Sequence, residues 1–227
     1  MIKTIDLVKI FRSGEMETIA LNKVNIAVEK GEFVAIMGPS GCGKSTLMNT
    51  LGLLDTTTAG KYLLNGEDVT KLTERQRTHL RKGNIGFIFQ NFNLIDELTV
   101  YENVELPLHY LKVTPAERKK KVAQVLDQMK ISHRGKHFPQ QLSGIQQQSV
   151  AIARAMVTRP KLILADEPTG NLNSENGENV MNLLGELNNE GTTIIVATHS
   201  PSDADKAHRI VRLFDGHVVT DNIRQIL

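Results

Sequence analysis

Gly38-Pro39-Ser40-Gly41-Cys42-Gly43-Lys44-Ser45 stands directly behind the apolar run Phe33 to Met37 and ahead of Thr46-Leu47-Met48. The order reads as strand, loop and helix, which is the context that the pattern G-x-x-x-x-G-K-[ST] needs in order to hold phosphate. Glycines let the loop wrap so that successive backbone N–H groups point inward, and the helix that begins there has a dipole that favours anions. In such a loop Lys44 reaches the β- and γ-phosphates of a nucleotide, and the Ser45 hydroxyl is left to bind Mg²⁺. The plain alternative is a Gly-rich turn with an incidental lysine, and the flanking strand and helix disfavour it. Cys42 lies inside the loop, where electropositive surroundings could activate its thiol. The simpler reading is a small side chain that fits.

Outward from this stretch, 227 residues with 40% hydrophobic and 23% charged side chains are enough for one large domain, or one domain with a subdomain. No apolar run approaches the ~18 residues that a membrane-spanning helix needs, and Met1-Ile2-Lys3-Thr4 lacks the apolar core of a signal peptide. A cytoplasmic location is the expectation. A single cysteine excludes an internal disulfide and agrees with a reducing compartment. The net charge of +2 is too small to argue for a nucleic-acid partner. Arg118-Lys119-Lys120-Lys121 reads as a solvated helix face.

Ahead of the loop, Ile5/Leu7 and then Leu21, Val24, Ile26 and Val28 alternate as in a small antiparallel sheet, with Lys30-Gly31 as a turn. Phe11 lies between the first two segments, where an aromatic either packs in that sheet or presents its face to a purine ring. Behind the loop, Leu47, Met48, Leu51 and Leu54 recur at helical spacing until Thr56 to Gly60 breaks the pattern, and Tyr62-Leu63-Leu64 runs as a strand into Asn65-Gly66. Ile85 to Phe89 is a short strand ending at Gln90, followed by a loop. Thr114-Pro115-Ala116-Glu117 predicts a helix start with a capping box, and that helix buries Val122, Leu126 and Met129. Another opens near Ser143-Gly144 and runs until Pro160 forbids it. Residues 91 to 158 therefore read as nearly all helical inside an otherwise alternating strand and helix order.

Lys161 to Ala165 reads as a buried strand that delivers Asp166-Glu167-Pro168 at its carboxyl end. Ser174 is placed to cap a helix carrying Val180, Leu183, Leu184 and Leu187, closed by Gly191. Thr192 to Ala197 is a further strand ending at Thr198-His199, and Ile210, Arg212 and Phe214 alternate into an Asp215-Gly216 hairpin. Beside a phosphate loop, Asp166 has the position of an acid that holds Mg²⁺ through its water shell, and Glu167 can orient and deprotonate a water for in-line attack on a γ-phosphate. His199, at another strand end, could hydrogen-bond that phosphate. Each is weak evidence alone; with Lys44 they make a set.

The order of these pieces resembles the ATP-binding subunit of an ABC transporter over essentially the whole length. The Walker A motif falls at 38 to 45, Gln90 at the Q-loop, Leu142-Ser143-Gly144-Ile145-Gln146 at the LSGGQ signature, and Walker B at 162 to 166 with Glu167 after it. Asn171-Leu172-Asn173 takes the D-loop position and His199 the H-loop. Phe89 to Leu94 and Glu105-Leu106-Pro107-Leu108 look most like the MacB/LolD-type group, which serves exporters of macrolides, peptides and lipoproteins. The resemblance implies an α/β fold: a P-loop NTPase, RecA-like core sheet with an N-terminal antiparallel β-subdomain (about 1–90 and 159–227 together) and a helical subdomain at about 91–158.

It further implies an ATPase using ATP and Mg²⁺, in which two copies sandwich two ATP head to tail and drive an integral membrane permease. The protein would then lie peripherally on the inner face of the cytoplasmic membrane. Nucleotide contacts would come from Phe11, Gly38, Pro39, Ser40, Gly41, Cys42, Gly43, Lys44, Ser45, Thr46 and Asp166, with Ser143, Gly144 and Gln146 serving the partner's site. Ser45, Gln90 and Asp166 would hold the metal, and Glu167, His199, Lys44 and Gln90 would carry catalysis. Phe11 stands where the family usually has a tyrosine that stacks on adenine.

Three positions depart from the family pattern: Ile145 replaces the second signature glycine, Asn173 the D-loop aspartate, and Ser149 the arginine after the signature glutamines. A β-branched side chain stands where close approach to phosphate favours glycine, and a charge-assisted bond becomes an ordinary one. The expectation is ATP binding with less ready dimerisation or hydrolysis. Two rivals remain. A soluble relative acting on DNA or ribosomes would carry a long coiled coil or two cassettes, absent here. An ATP-dependent binding module with weak turnover stays open.

Overall fold

The computed structural model describes residues 1–14 and 16–223, and no helix among them is long and apolar enough to cross a membrane. The chain runs through β1 (Ile2–Ser13), β2 (Met16–Val24), β3 (Ala27–Val28), β4 (Phe33–Met37), α1 (Lys44–Leu51), β5 (Ala59–Leu64), β6 (Glu67–Asp68), α2 (Glu74–Arg81) and β7 (Ile85–Ile88). Three helices follow, α3 (Val100–Tyr110), α4 (Pro115–Gln128) and α5 (Gly144–Met156). The last part is β8 (Leu162–Asp166), α6 (Ser174–Asn189), β9 (Thr193–Thr198), α7 (Pro201–Ala204), β10 (Arg209–Phe214) and β11 (His217–Ile223).

Two sheets result. In the first, β1 pairs antiparallel with β2, β3 and β5, and β5 with β6. In the second the order is β11-β10-β4-β9-β8-β7, with neighbours parallel except for the edge hairpin β10/β11. Parallel sheets are covered on both faces, so their strands read as continuous apolar runs rather than alternating ones. Phe33–Met37 is accordingly buried throughout. Successive side chains still point to opposite faces. Val34, Ile36, Leu162, Leu164 and Ile195 pack with Leu47 and Leu51 of α1, whereas Phe33, Ala35, Ile163, Ile194 and Val196 pack with α3 to α6.

The parallel register sets the site. Met37 lies opposite Thr198 and Asp166 opposite Ala197, so the loops leaving β4, β8 and β9 emerge side by side at one edge. Sheets of this kind place ligands outside the carboxyl ends of their strands.

Several local expectations are corrected. Thr114 caps α4 by position, but its hydroxyl donates to the Glu117 carboxylate at 3.0 Å and no capping box closes. The α6 cap is Asn173, whose Oδ1 accepts from the Asn176 N–H at 3.0 Å; Ser174 is already helical. Helix α1 stops at Leu51, and Leu54 is exposed, since Leu53 turns to a positive φ of 59°. Met129 is only partly buried, at the end of α4. Helix α5 ends four residues before Pro160. Helix α2 was not anticipated; its sign is the Thr73/Gln76 capping box, easily missed because α2 buries no residue of its own.

Candidate active site

The loop between β4 and α1 turns through Gly41 at φ 79° and Gly43 at φ 104°. Gly43 caps α1 in a conformation that L side chains rarely adopt, and a Cβ there would collide with the Ala20 carbonyl on β2. Gly38 has the Leu213 carbonyl and the Cys42 sulfur at its back, which likewise leaves no room for a side chain. Cys42 is a buried free cysteine. Pro39, Ser40, Gly41 and Ser45 are exposed, and Thr46 is half-buried. The Lys44 ammonium, 7% exposed, donates to the carbonyls of Gly38 at 2.8 Å and Pro39 at 3.0 Å, and lies 3.8 Å from Glu167 Oε1.

Asp166 ends β8. Burial pushes its carboxyl up from the ordinary value of 3.8, opposed by a hydrogen bond from Ser45 and helped by the neighbouring Glu167 charge. Its Oδ1 is buried without a hydrogen-bond partner. A half-buried carboxylate with a spare oxygen, joined to an exposed hydroxyl, suits a hard divalent cation, so the residues present fit Mg²⁺. Glu167 follows at φ 47°, its N–H donating to Ala197 O at 2.9 Å. Its Oε2 is 2.9 Å from Nδ1 of the exposed His199, which leaves β9 beside it. The structure thus brings Lys44, Ser45, Asp166, Glu167 and His199 together.

Phe11 stands near the end of β1 with its ring 46% exposed. Its strand partner is Thr18 on β2, two residues from the Ala20 carbonyl that backs Gly43. Gln90 is exposed, its side-chain amide lies against Gly170, and its backbone carbonyl accepts from Asn171 Nδ2 at 2.8 Å; among the described residues no hydrogen bond links it to Asp166.

Ser143 caps α5, with Gln146 completing a capping box, and Gly144 is exposed at the first helical position. Among the described residues no hydrogen bond or ion pair joins Ser143, Gly144 or Gln146 to Lys44, Ser45 or Asp166. Sequence reasoning missed Gln148, which is fully buried on α5 and donates to Pro168 O at 2.7 Å. It also missed Asp203, whose carboxylate accepts from Thr169 at 2.5 Å and faces Thr198. A polar residue on the apolar face of α5 was the available signal for Gln148; Asp203 had none.

The family model for ABC transporters matches residues 21–170. The chain belongs to the ABC transporter family. It is 48% identical over 219 residues to an ABC transporter ATP-binding protein of Methanocaldococcus jannaschii, MJ1508, covering 96% of this chain and 98% of that protein. It is 46% identical over 225 residues to the macrolide export ATP-binding/permease protein MacB of Brucella melitensis. There it covers 99% of this chain and spans 35% of the length of that protein. Among solved structures, a dimer of the ATP-binding cassette MJ0796 in a post-hydrolysis state, bound to ADP and phosphate, superposes at TM-score 0.94 with 42% identity and full coverage of both chains.

Within this ABC cassette the three departures have definite places. Ile145 is half-buried in the first turn of α5, and its carbonyl accepts from Ser149 Oγ at 3.0 Å. Ser149 therefore bonds back to its own helix. Asn173 spends its side-chain oxygen on capping α6, a task that aspartate would also perform, with added attraction to the helix dipole.

Proposed function

We propose that this chain is the ATP-binding and ATP-hydrolysing motor subunit of a MacB/LolD-type ABC transporter, working as a head-to-tail homodimer around two ATP and driving a separate membrane permease at the inner face of the cytoplasmic membrane. The observation that carries the reading is the convergence of Lys44, Ser45, Asp166, Glu167 and His199 on the carboxyl edge of three adjacent strands. Loop N–H groups and Lys44 hold the β- and γ-phosphates; Glu167 orients the attacking water and accepts its proton; His199 holds Glu167 and faces the γ-phosphate. Ser45 and Asp166, together with Gln90, would hold Mg²⁺, which when bound would neutralise phosphate charge. Among the described residues Ser143, Gly144 and Gln146 have no bond to this set, and they serve the partner's γ-phosphate through the α5 N-terminus. Residues 91–158 act as a helical subdomain that passes motion to the permease, and 1–90 with 159–227 form the nucleotide-binding body.

Phosphate release from Mg-ATP, followed across protein concentrations with Glu167→Gln as blank, tests this. Activity per molecule that rises with concentration is the expected result; wild-type activity equal to the blank, with and without the permease, overturns the motor.

A second reading is an ATP-dependent binding module with weak turnover, favoured by Ile145 in the first turn of α5. Under it Ile145→Gly raises ATPase activity severalfold, and an unchanged or lower rate removes it.

A further inference from the structure

Lys9 is 8% exposed on β1, on the same side of the strand as Phe11. Its ammonium lies 2.6 Å from Asp55 Oδ1, donates to the Thr56 carbonyl at 2.8 Å, and stands 4.8 Å from the centroid of the Phe11 ring. A buried ammonium is tolerated only when paired, and here an ion pair, a carbonyl and a ring face satisfy it together. Asp55 is itself anchored, its Oδ1 accepting also from the Thr56 N–H at 2.6 Å. Phe11 pairs with Thr18, two residues along β2 from Ala20, whose carbonyl backs Gly43 of the phosphate loop.

We infer that Lys9, held by Asp55 and Thr56, is a positioning residue for Phe11: it occupies one ring face and fixes the ring plane, leaving the other face to stack on the base of the bound nucleotide. This rests on the reading of Phe11 as a base contact. An exposed phenylalanine at a strand end would otherwise lose rotamer freedom on stacking, and a ring held beforehand loses less. Lys9 and Asp55 thus contribute to affinity for the base without touching it and leave the grip on phosphate alone.

The experiment compares calorimetric binding of Mg-ATP with that of Mg-tripolyphosphate, which has no base. Lys9→Met and Asp55→Asn should each weaken ATP binding about five- to tenfold while tripolyphosphate changes less than about twofold. Lys9→Arg, which keeps the cation, should retain ATP affinity, so a general loss of fold at this strand is distinguished. Lys9→Met should add nothing to Phe11→Ala. The inference is overturned if Lys9→Met weakens both ligands alike, leaves ATP unchanged, or adds its full effect to Phe11→Ala. If Phe11→Ala binds ATP as wild type does, the base contact fails and takes the positioning role with it. If wild type binds neither ligand, the nucleotide reading itself is wrong.

Discussion

Asp166 shows how one carboxylate can cost stability and serve a site. Burial and the adjacent Glu167 both oppose its charge, and one of its oxygens has no partner. Asp166→Asn removes that charge and can keep the Ser45 contact, so the nucleotide-free variant should melt above wild type at pH 7. The stabilisation that Mg-ATP gives wild type should shrink, and thermal scans with and without Mg-ATP read both effects. Gly43 carries the opposite burden, since its φ of 104° and the Ala20 carbonyl behind it exclude a side chain. Gly43→Ala should cost about 1–3 kcal/mol in urea unfolding, the scale of a strained backbone position. The role of Gly43 was legible in the sequence because a loop motif states its backbone demand through residue type. The burden on Asp166 was not, because burial depends on strands far away in the chain.

At the scale of elements, β5 is joined to the loop helix by one buried bond. The Tyr62 hydroxyl, at 1% exposure, donates to Leu51 O at the end of α1 at 2.7 Å, and burial raises its pKa far above the ordinary phenol range. Tyr62→Phe leaves that carbonyl without its partner and should cost about 1–2 kcal/mol in chemical unfolding. Helices α3 and α4 are joined by Glu105, where burial alone would raise the carboxyl but Arg118 at 2.9 Å and His109 at 3.0 Å hold it below 4.5. A depressed folded-state value means that this link stabilises the fold above about pH 4.5 and is lost as pH falls through the lower value. Glu105→Gln should therefore be less stable than wild type by about 1 kcal/mol at neutral pH, and the gap should close in acid. Elements with a continuous apolar run, such as β4, β8 and β9, or a strong apolar period, such as α6, were readable from the chain. Helix α2 was not, because it buries none of its own residues, and the 91–99 loop hid its organiser. That is Asn103, fully buried on α3, which bonds Ile95, Leu98 and Thr99 with one side chain.

At the scale of the molecule, the Lys44 set and the α5 N-terminus share one chain with no hydrogen bond or ion pair between them among the described residues, so a complete site under the proposed function needs two chains. That separation allows complementation. Lys44→Ala disables the loop set, and Gly144→Asp disables the signature by placing a carboxylate where a phosphate oxygen would sit. The aspartate should not disturb the fold: a Cβ at Gly144 meets only ordinary contacts, at 3.8 Å and 3.9 Å, and an acid in the first turn suits the helix dipole. Each variant alone should be inactive. Mixed in equal amounts and pairing at random, about half the dimers combine the two variants, and each of these puts both defects into one site and leaves the other intact. With independent sites the mixture should recover about one quarter of wild-type phosphate release. Sites contained within single chains would leave the mixture as inactive as its parts. Recovery close to zero, with heterodimers present by native mass spectrometry, would instead show that the two sites must fire together.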